Sequence, residues 1–141
     1  MLPNIGPDRI LFTPNFAGQE EYAAAFKMGC FVTVDNVWVL EQWPETFRNQ
    51  SVLIRIDPGR GDGHHVKVKT GGSQSKFGVS MDELLRVQTT VKALNLHVVG
   101  FHIHAGSQIL SFDNWIKNAN LLSGLKQDFP QAKILNLGGG L

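Results

Sequence analysis

Short apolar runs alternate along this chain with stretches of helical periodicity, and this alternation limits the possible folds more than any other feature. Strands are predicted at residues 10–13, 31–34, 52–56, 98–102 and 134–137, with helices between them. Such an alternation produces right-handed crossovers and a parallel sheet. The sheet is either an open doubly wound sheet or part of a (β/α)8 barrel. Because a complete barrel needs ~250 residues, this chain would supply only a piece of one.

Local signals mark where the predicted helices begin. Asp35 or Asn36 is placed to cap the short second helix. Ser80 and Glu83 have the spacing of a capping box ahead of the third helix. Asp113 is predicted to cap a fourth helix that continues to residue 129. These signals agree with the helical periodicity that follows each of them.

Composition excludes several classes of protein. Hydrophobic residues make up 43% of the chain, which argues against a disordered protein. The net charge of +1 gives no electrostatic basis for binding nucleic acid or a membrane surface. The single cysteine, Cys30, cannot form an internal disulfide and fits a reducing compartment, so we expect a cytoplasmic protein. We expect no signal peptide, because no basic segment is followed by an apolar one. We expect no membrane span either, because no apolar run approaches ~20 residues.

Residues 57–79 interrupt the alternation with a glycine-rich segment that carries a candidate hairpin around 66–68. Connections of this length inside a compact domain are usually functional. Both possible architectures collect their chemistry at the carboxyl ends of the strands. The distinctive polar and glycine-rich segments of this chain follow predicted strands, which indicates an enzyme. They begin at Thr13, Asp35, Asp57, His104 and Gly138.

Two histidines stand at the end of the fourth predicted strand. Because side chains alternate along a strand, Gly100, His102 and His104 share one face, while Val99 and Phe101 share the face that helices cover. An imidazole in this place can stack on an aromatic cofactor, ligate a metal or act as an acid or base. Loops after parallel strands carry sites, so we interpret the pair as functional rather than structural.

Several residues near the strand ends suit an anionic ligand. Gly138, Gly139 and Gly140 expose consecutive backbone N–H groups that can bind a phosphate, although a tight strand-to-helix turn explains them equally well. Ser107 can add a hydroxyl donor to the same phosphate. Arg55 lies on an otherwise apolar strand, and an inward arginine needs an anionic partner. That partner is either an interior carboxylate or a cofactor oxygen.

Four blocks, taken in order, resemble the pyridoxal-phosphate-dependent decarboxylases of the alanine-racemase-like barrel class, and most closely the diaminopimelate decarboxylases. The opening segments at 12–17 and 34–36 are similar to the variant that is fused to an aspartate kinase. The resemblance covers essentially the whole chain and implies an α/β fold of parallel (β/α) units forming part of a TIM-type (β/α)8 barrel. The blocks are RIDPG at 55–59, TGG at 70–72 with SKFG at 75–78, GFHIHAGSQ at 100–108 and LGGGL at 137–141.

The resemblance also implies a cofactor, pyridoxal 5′-phosphate, and a role for each matching residue. His104 would be the catalytic residue, stacked on the face of the pyridine ring. Ser107 would contact the cofactor, and the glycines at 138–140 would bind its phosphate through backbone N–H groups. Arg55 would lie near the ring. Supporting roles would fall to Lys76 and His102.

The reaction that the resemblance implies is the decarboxylation of meso-diaminopimelate to L-lysine, through an imine between the substrate amine and the cofactor aldehyde. The ligand besides the cofactor would be a small amino acid, and the complete protein would be a homodimer. Such a reaction belongs to amino-acid biosynthesis, and specifically to lysine biosynthesis.

The sequence departs from the family pattern in what it lacks. No Tyr-Ala-x-Lys-type segment is present to supply the Schiff-base lysine. The acidic partner of the pyridine nitrogen would lie after residue 141. We therefore expect residues 1–141 to be a partial barrel domain, truncated at both ends and inactive alone. Its open sheet edges would make it prone to aggregate.

Three other functions are compatible with the residues. A metal-dependent barrel hydrolase would use His102 and His104 as ligands, with His64 and His65 nearby, but it would leave the glycines unused. Another pyridoxal-phosphate-dependent decarboxylase, of the ornithine or arginine type, would share the same blocks. A non-catalytic barrel fragment would keep the fold and lose the activity.

Overall fold

A parallel β-sheet organises the part of the chain that the computed structural model describes, residues 5–59, 77–104 and 112–139. Every strand pairing in this sheet is parallel. The strands are β1 (Leu11–Phe12), β2 (Phe31–Val34), β3 (Ser51–Asp57), β4 (Val79–Ser80), β5 (His97–His102) and β6 (Ile134–Asn136). The helices are α1 (Gln19–Met28), α2 (Val37–Gln42), α3 (Pro44–Phe47), α4 (Leu84–Ala93) and α5 (Phe112–Gly124).

The order of the strands confirms the predicted partial (β/α) barrel. The sheet runs β1-β2-β3-β5-β6, with the short β4 paired beside β3. A doubly wound sheet reverses its strand order at a switch point, whereas here each strand lies beside its successor along this path. Within the described ranges, no helix is long and apolar enough to cross a membrane.

The helix boundaries confirm some of the local predictions and correct others. Asn36 caps α2, because its side chain accepts a hydrogen bond from the Trp38 N–H at 2.7 Å. Ser80 and Glu83 form the predicted capping box, with a turn of 3-10 helix before α4. The predicted cap at Asp113 is wrong: α5 already begins at Phe112, and Asp113 lies in its first turn, where a negative charge favours the helix dipole.

Two further differences concern the length and number of elements. The helix predicted from Asp113, α5, ends at Gly124, and a 3-10 turn over Leu125–Gln127 replaces the predicted continuation to residue 129. The two-residue strand β4 was not predicted, since a segment this short shows no periodicity. The candidate hairpin around 66–68 lies outside the described residues.

The main core lies between the sheet and the helices that cover it. Val34, Ile54 and Phe101 of the three central strands are fully buried in this core. Tyr22 of α1 and Phe47 of α3 pack edge to face there, with ring centroids 5.0 Å apart. Burial of a large apolar side chain stabilises the fold by about 2 kcal/mol, so this layer holds the helices against the sheet.

The opposite face of the sheet gathers polar side chains at matching heights. Arg55 of β3 lies beside His102 of β5, which lies beside Asn136 of β6. A shift in the register between β3 and β5 sets this alignment, since Val52 pairs with Val98 and the next residue of β3 pairs with Gly100. The irregularity falls at residue 99, so the prediction that Val99 belongs to the covered face is wrong, and Val98 occupies that face.

Replacing Gly100 by Ala is expected to lower the free energy of unfolding by about 2 kcal/mol. A Cβ at this position would collide with the backbone carbonyl oxygen of Ile134 and would stand 2.7 Å from its Cβ. The matched control is Gly124→Ala, because a Cβ there meets nothing within 4 Å, and Ala favours the helix by up to about 1 kcal/mol. Urea unfolding of both variants checks the contrast, and equal stabilities would contradict it.

Candidate functional site

A cleft of about 400 Å³ opens where the strands reach their carboxyl ends. Residues from four strand ends meet there, although they lie far apart in sequence. The polar face of the sheet forms the floor of this cleft, and the turn after β6 forms part of its wall. The lining residues are Thr13, Asn15, Arg55, His102, His104, Asn136, Gly138 and Gly139.

The structure brings together five of the residues that the sequence singled out. Arg55, His102, His104, Gly138 and Gly139 all line the cleft. The remaining three, Ser107, Lys76 and Gly140, lie outside the described residues.

Arg55 is held rigidly at the floor of the cleft. Its side chain is 9% exposed, and Nη1 donates a hydrogen bond to Oδ1 of Asn15 at 2.6 Å. The guanidinium carbon also lies 5.2 Å from the ring centroid of Phe77, in the range of a cation–π contact. Burial lowers the pKa of Arg55, and the negative charges of Asp35 and Asp57 act against that shift. The result is a fixed cation with N–H donors beside the cleft.

The carboxyl group of Asp35 lies close enough to Arg55 for the two charges to interact. Asp35 is 6% exposed, and burial raises its pKa, while its own backbone N–H and the positive charge of Arg55 oppose the rise. Burial also raises the pKa of the Tyr22 hydroxyl, with a further contribution from the nearby Asp35. The negative charge of Asp35 at the end of β2 therefore partly balances the buried cation Arg55.

His102 is a buried neutral imidazole. It is 6% exposed, and its Nδ1 has no hydrogen-bond partner within the described ranges. Its pKa is lowered to about 4, first by burial and then by the positive charges of Arg55 and His104. At neutral pH the buried cation Arg55 therefore lies next to an uncharged ring.

His104 lies two residues beyond the end of β5 and is exposed to the cleft. Gly138 packs directly against it. A Cβ added to Gly138 would stand 3.0 Å from Nδ1 of His104 and 2.7 Å from the carbonyl oxygen of Ile103. Gly138 also has a φ of +75°, which side chains rarely tolerate. Only glycine fits at this point of the wall.

The turn after β6 is fastened by Asn136. Its side-chain oxygen accepts the Gly138 N–H at 2.8 Å, and its backbone carbonyl accepts the Ile103 N–H at 2.9 Å. The N–H of Gly138 is therefore already engaged. The next residue, Gly139, is exposed, and a Cβ placed there would meet no atom of the described residues within 4 Å. Its backbone borders open space in the cleft.

Sequence reasoning missed Asn15 and Asn136 as site residues. Asn15 belongs to a segment that was recognised only as following a strand, and Asn136 was assigned to the strand itself. One available signal was their position, since both lie at carboxyl ends of parallel strands, where polar side chains face the site. No sequence pattern predicts that Asn15 reaches Arg55, forty residues away.

The metal-site alternative finds no support in the described ranges. No group of three or more His, Cys, Asp or Glu residues there is arranged to hold a metal ion. His102 and His104 instead share their surroundings with the cation Arg55, which disfavours a bound cation. His64 and His65 lie outside the described residues.

Known proteins of similar sequence and fold include amino-acid decarboxylases. A diaminopimelate decarboxylase of Methanothermobacter thermautotrophicus is 31% identical over 150 residues, covering 100% of this chain and 34% of that protein. The structure of Helicobacter pylori diaminopimelate decarboxylase complexed with L-lysine has a TM-score of 0.76 at 27% identity, covering 97% of this chain and 37% of the other. Arginine decarboxylase of Paramecium bursaria Chlorella virus shares the fold, with a TM-score of 0.78 at 24% identity and coverages of 97% and 37%.

The chain spans about a third of the length of these relatives. The model of one family, described as pyridoxal-dependent decarboxylase, pyridoxal binding domain, matches residues 2–141. That match covers all the strands and helices described above, and it includes both histidines and the glycine turn of the cleft. This chain belongs to the pyridoxal binding domain family of the pyridoxal-dependent decarboxylases.

Proposed function

We propose that this chain forms part of the cofactor-binding barrel of an amino-acid decarboxylase that converts meso-diaminopimelate to L-lysine. The observation that carries the proposal is the convergence of Arg55, His104 and the Gly138–Gly139 turn on one cleft. The named relatives support this choice of substrate, since the chain aligns over its full length with a diaminopimelate decarboxylase.

The donor set of the cleft fits pyridoxal 5′-phosphate. Its volume of about 400 Å³ is in the range of small-ligand sites. A flat ring, a phosphate and an ionised hydroxyl need an aromatic face, backbone N–H groups and a cation. His104 offers the aromatic face, the backbone at Gly139 offers N–H groups, and Arg55 is the cation. Gly139 also leaves room beside its backbone that a side chain would fill.

When bound, the cofactor supplies an electron sink, because its conjugated ring accepts the electron pair left behind as carbon dioxide departs. The protein side of the chemistry is orientation. His104 is proposed to stack on the ring and fix its plane, which sets the direction in which the scissile bond must stand. Arg55, clamped by Asn15, is proposed to bind an ionised oxygen on the ring.

The other residues of the site are proposed to have the following roles. Gly139 and Gly140 are proposed to donate backbone N–H groups to the phosphate, with Gly138 shaping the turn, and Ser107 to add its hydroxyl. His102 and Lys76 are proposed to support the site. A neutral His102 allows the ring of a ligand to approach Arg55 without a second buried charge to compensate.

We expect the complete protein to release L-lysine and carbon dioxide from meso-diaminopimelate, and to lose about ten- to a hundredfold in kcat/KM when Arg55 is replaced by Met, as for loss of a charged ligand contact. Ornithine and arginine are tested in parallel, because the arginine-type alternative shares the fold. Turnover of either one in preference to meso-diaminopimelate would reassign the substrate. Failure of all three, in protein that binds the cofactor, would leave a non-catalytic barrel.

Residues 1–141 alone are proposed to be inactive, because no segment in them matches the family's Schiff-base lysine. The complete protein is proposed to be a cytoplasmic homodimer that acts on a free amino acid. Detectable lysine release by the isolated chain would contradict the first statement. Light scattering of the complete protein after gel filtration tests whether it is a homodimer, and fractionation of its native cells tests whether it is cytoplasmic.

A further inference from the structure

Asn136 connects the two parts of the cleft that a phosphorylated aromatic ligand would touch. Its carbonyl oxygen fastens the turn to the end of β5 through the Ile103 N–H, and its side chain closes the turn onto the Gly138 N–H. Gly138 in turn packs against His104. One partly buried residue, through its backbone carbonyl and its side chain, thus joins the end of β5 to the glycine turn that packs against the exposed imidazole.

The side-chain bond also decides which backbone groups can face a ligand. A side-chain oxygen that accepts the N–H two residues later is a local turn-forming bond. Gly138 itself lies in the left-handed region, at a φ of +75°. Since the Gly138 N–H points to Oδ1 of Asn136, the first donor open to an anion is that of Gly139.

We propose that Asn136 is a positioning residue that presents the Gly139 backbone to the phosphate of the ligand and keeps the turn against His104. This inference rests on the proposed function, because it specifies how the cofactor site is organised. Asn136 acts through the turn. Its loss should therefore weaken recognition of the phosphate more than recognition of the ring, since only the phosphate depends on ordered backbone donors.

The test compares two probes, pyridoxal 5′-phosphate and pyridoxal, by titration calorimetry on the complete protein. We expect the wild type to prefer the phosphorylated probe, and Asn136→Ala to reduce that preference by about tenfold, the size of one ordering hydrogen bond. Asn136→Asp retains an acceptor oxygen and should keep the preference within about threefold of wild type. A merely structural role would weaken both probes equally and leave their ratio unchanged.

The matched control is Asn36→Ala, which removes the same kind of side-chain bond to the N–H two residues later, but at the start of α2 and outside the cleft. The preference of Asn36→Ala for pyridoxal 5′-phosphate over pyridoxal should equal that of the wild type. If Asn136→Ala does not fold, Asn136→Leu repeats the test with similar volume and no acceptor. An unchanged ratio in the folded Ala or Leu variant overturns the role of Asn136 alone. A wild type that binds neither probe overturns the proposed function as well.

Discussion

Acidification from pH 7 to pH 4 is expected to lower the free energy of unfolding by about 3 kcal/mol through His102 alone. The pKa of this imidazole is about 4 in the folded chain, against an ordinary value of 6.5 that we take for the unfolded chain. Between these values the unfolded state binds a proton that the native state does not. Stability therefore falls as the pH falls from about 6.5 to about 4, and the contribution is fully present only above that window.

Asp35 contributes to the pH dependence with the opposite sign. Its pKa is raised in the folded chain, so the native state binds a proton more readily there, and this contribution to stability grows as the pH falls. The variant His102→Gln separates the two effects, because it removes only the imidazole. Urea unfolding at several pH values should show a shallower loss of stability below pH 6.5 in this variant than in the wild type.

His97→Gln is the control for replacing a histidine on the same strand. His97 stands at the opposite end of β5 from the cleft and is only partly buried. Its replacement should leave the steep loss of stability in place. If His102→Gln and the wild type instead follow the same pH profile, His102 is not held as a buried neutral ring.

The alternation of strands and helices could be predicted because it depends on local periodicity, and most strand boundaries agree within a residue or two. The irregularity at Val99 could not be predicted. It results from how β5 pairs with β3, and the sequence of either strand alone carries no information about that register. The misplaced cap at Asp113 has a local cause. An acidic residue suits both the cap and the first turn of a helix, so the sequence does not separate the two positions.

The candidate site was also predictable only in part. His104 and the glycines could be found because unusual residue types follow strands, where parallel sheets collect their chemistry. Arg55 could be found because a charged side chain on an apolar strand needs a partner. The clamp of Asn15 on Arg55 and the bond from Gly138 to Asn136 depend on side chains meeting in space. Asparagine is common in turns for many reasons, so its presence at a strand end does not by itself indicate a contact.

Gly138→Ala is expected to lower the free energy of unfolding by about 3 kcal/mol, through left-handed strain and a clash with fixed backbone. The new Cβ would stand 2.7 Å from the carbonyl oxygen of Ile103, which the sheet holds in place, and 3.0 Å from Nδ1 of His104. Relief requires the turn and the imidazole to separate. Affinity for pyridoxal 5′-phosphate should therefore also fall, by about a hundredfold or about 3 kcal/mol.

Gly59→Ala isolates the strain from the clash, because Gly59 has the same local geometry in open space. Its φ is +66°, its N–H donates to Oδ1 of Asp57 at 2.9 Å, and within the part of the chain that the structure describes a Cβ there meets nothing within 4 Å. We expect this variant to lose only about 1 kcal/mol of stability and no affinity. Chemical unfolding and cofactor titration of the two variants give the comparison. Equal losses would mean that close packing of Gly138 on His104 does not shape the site, whereas a larger loss in both measurements for Gly138→Ala ties the fold of this turn to its binding function.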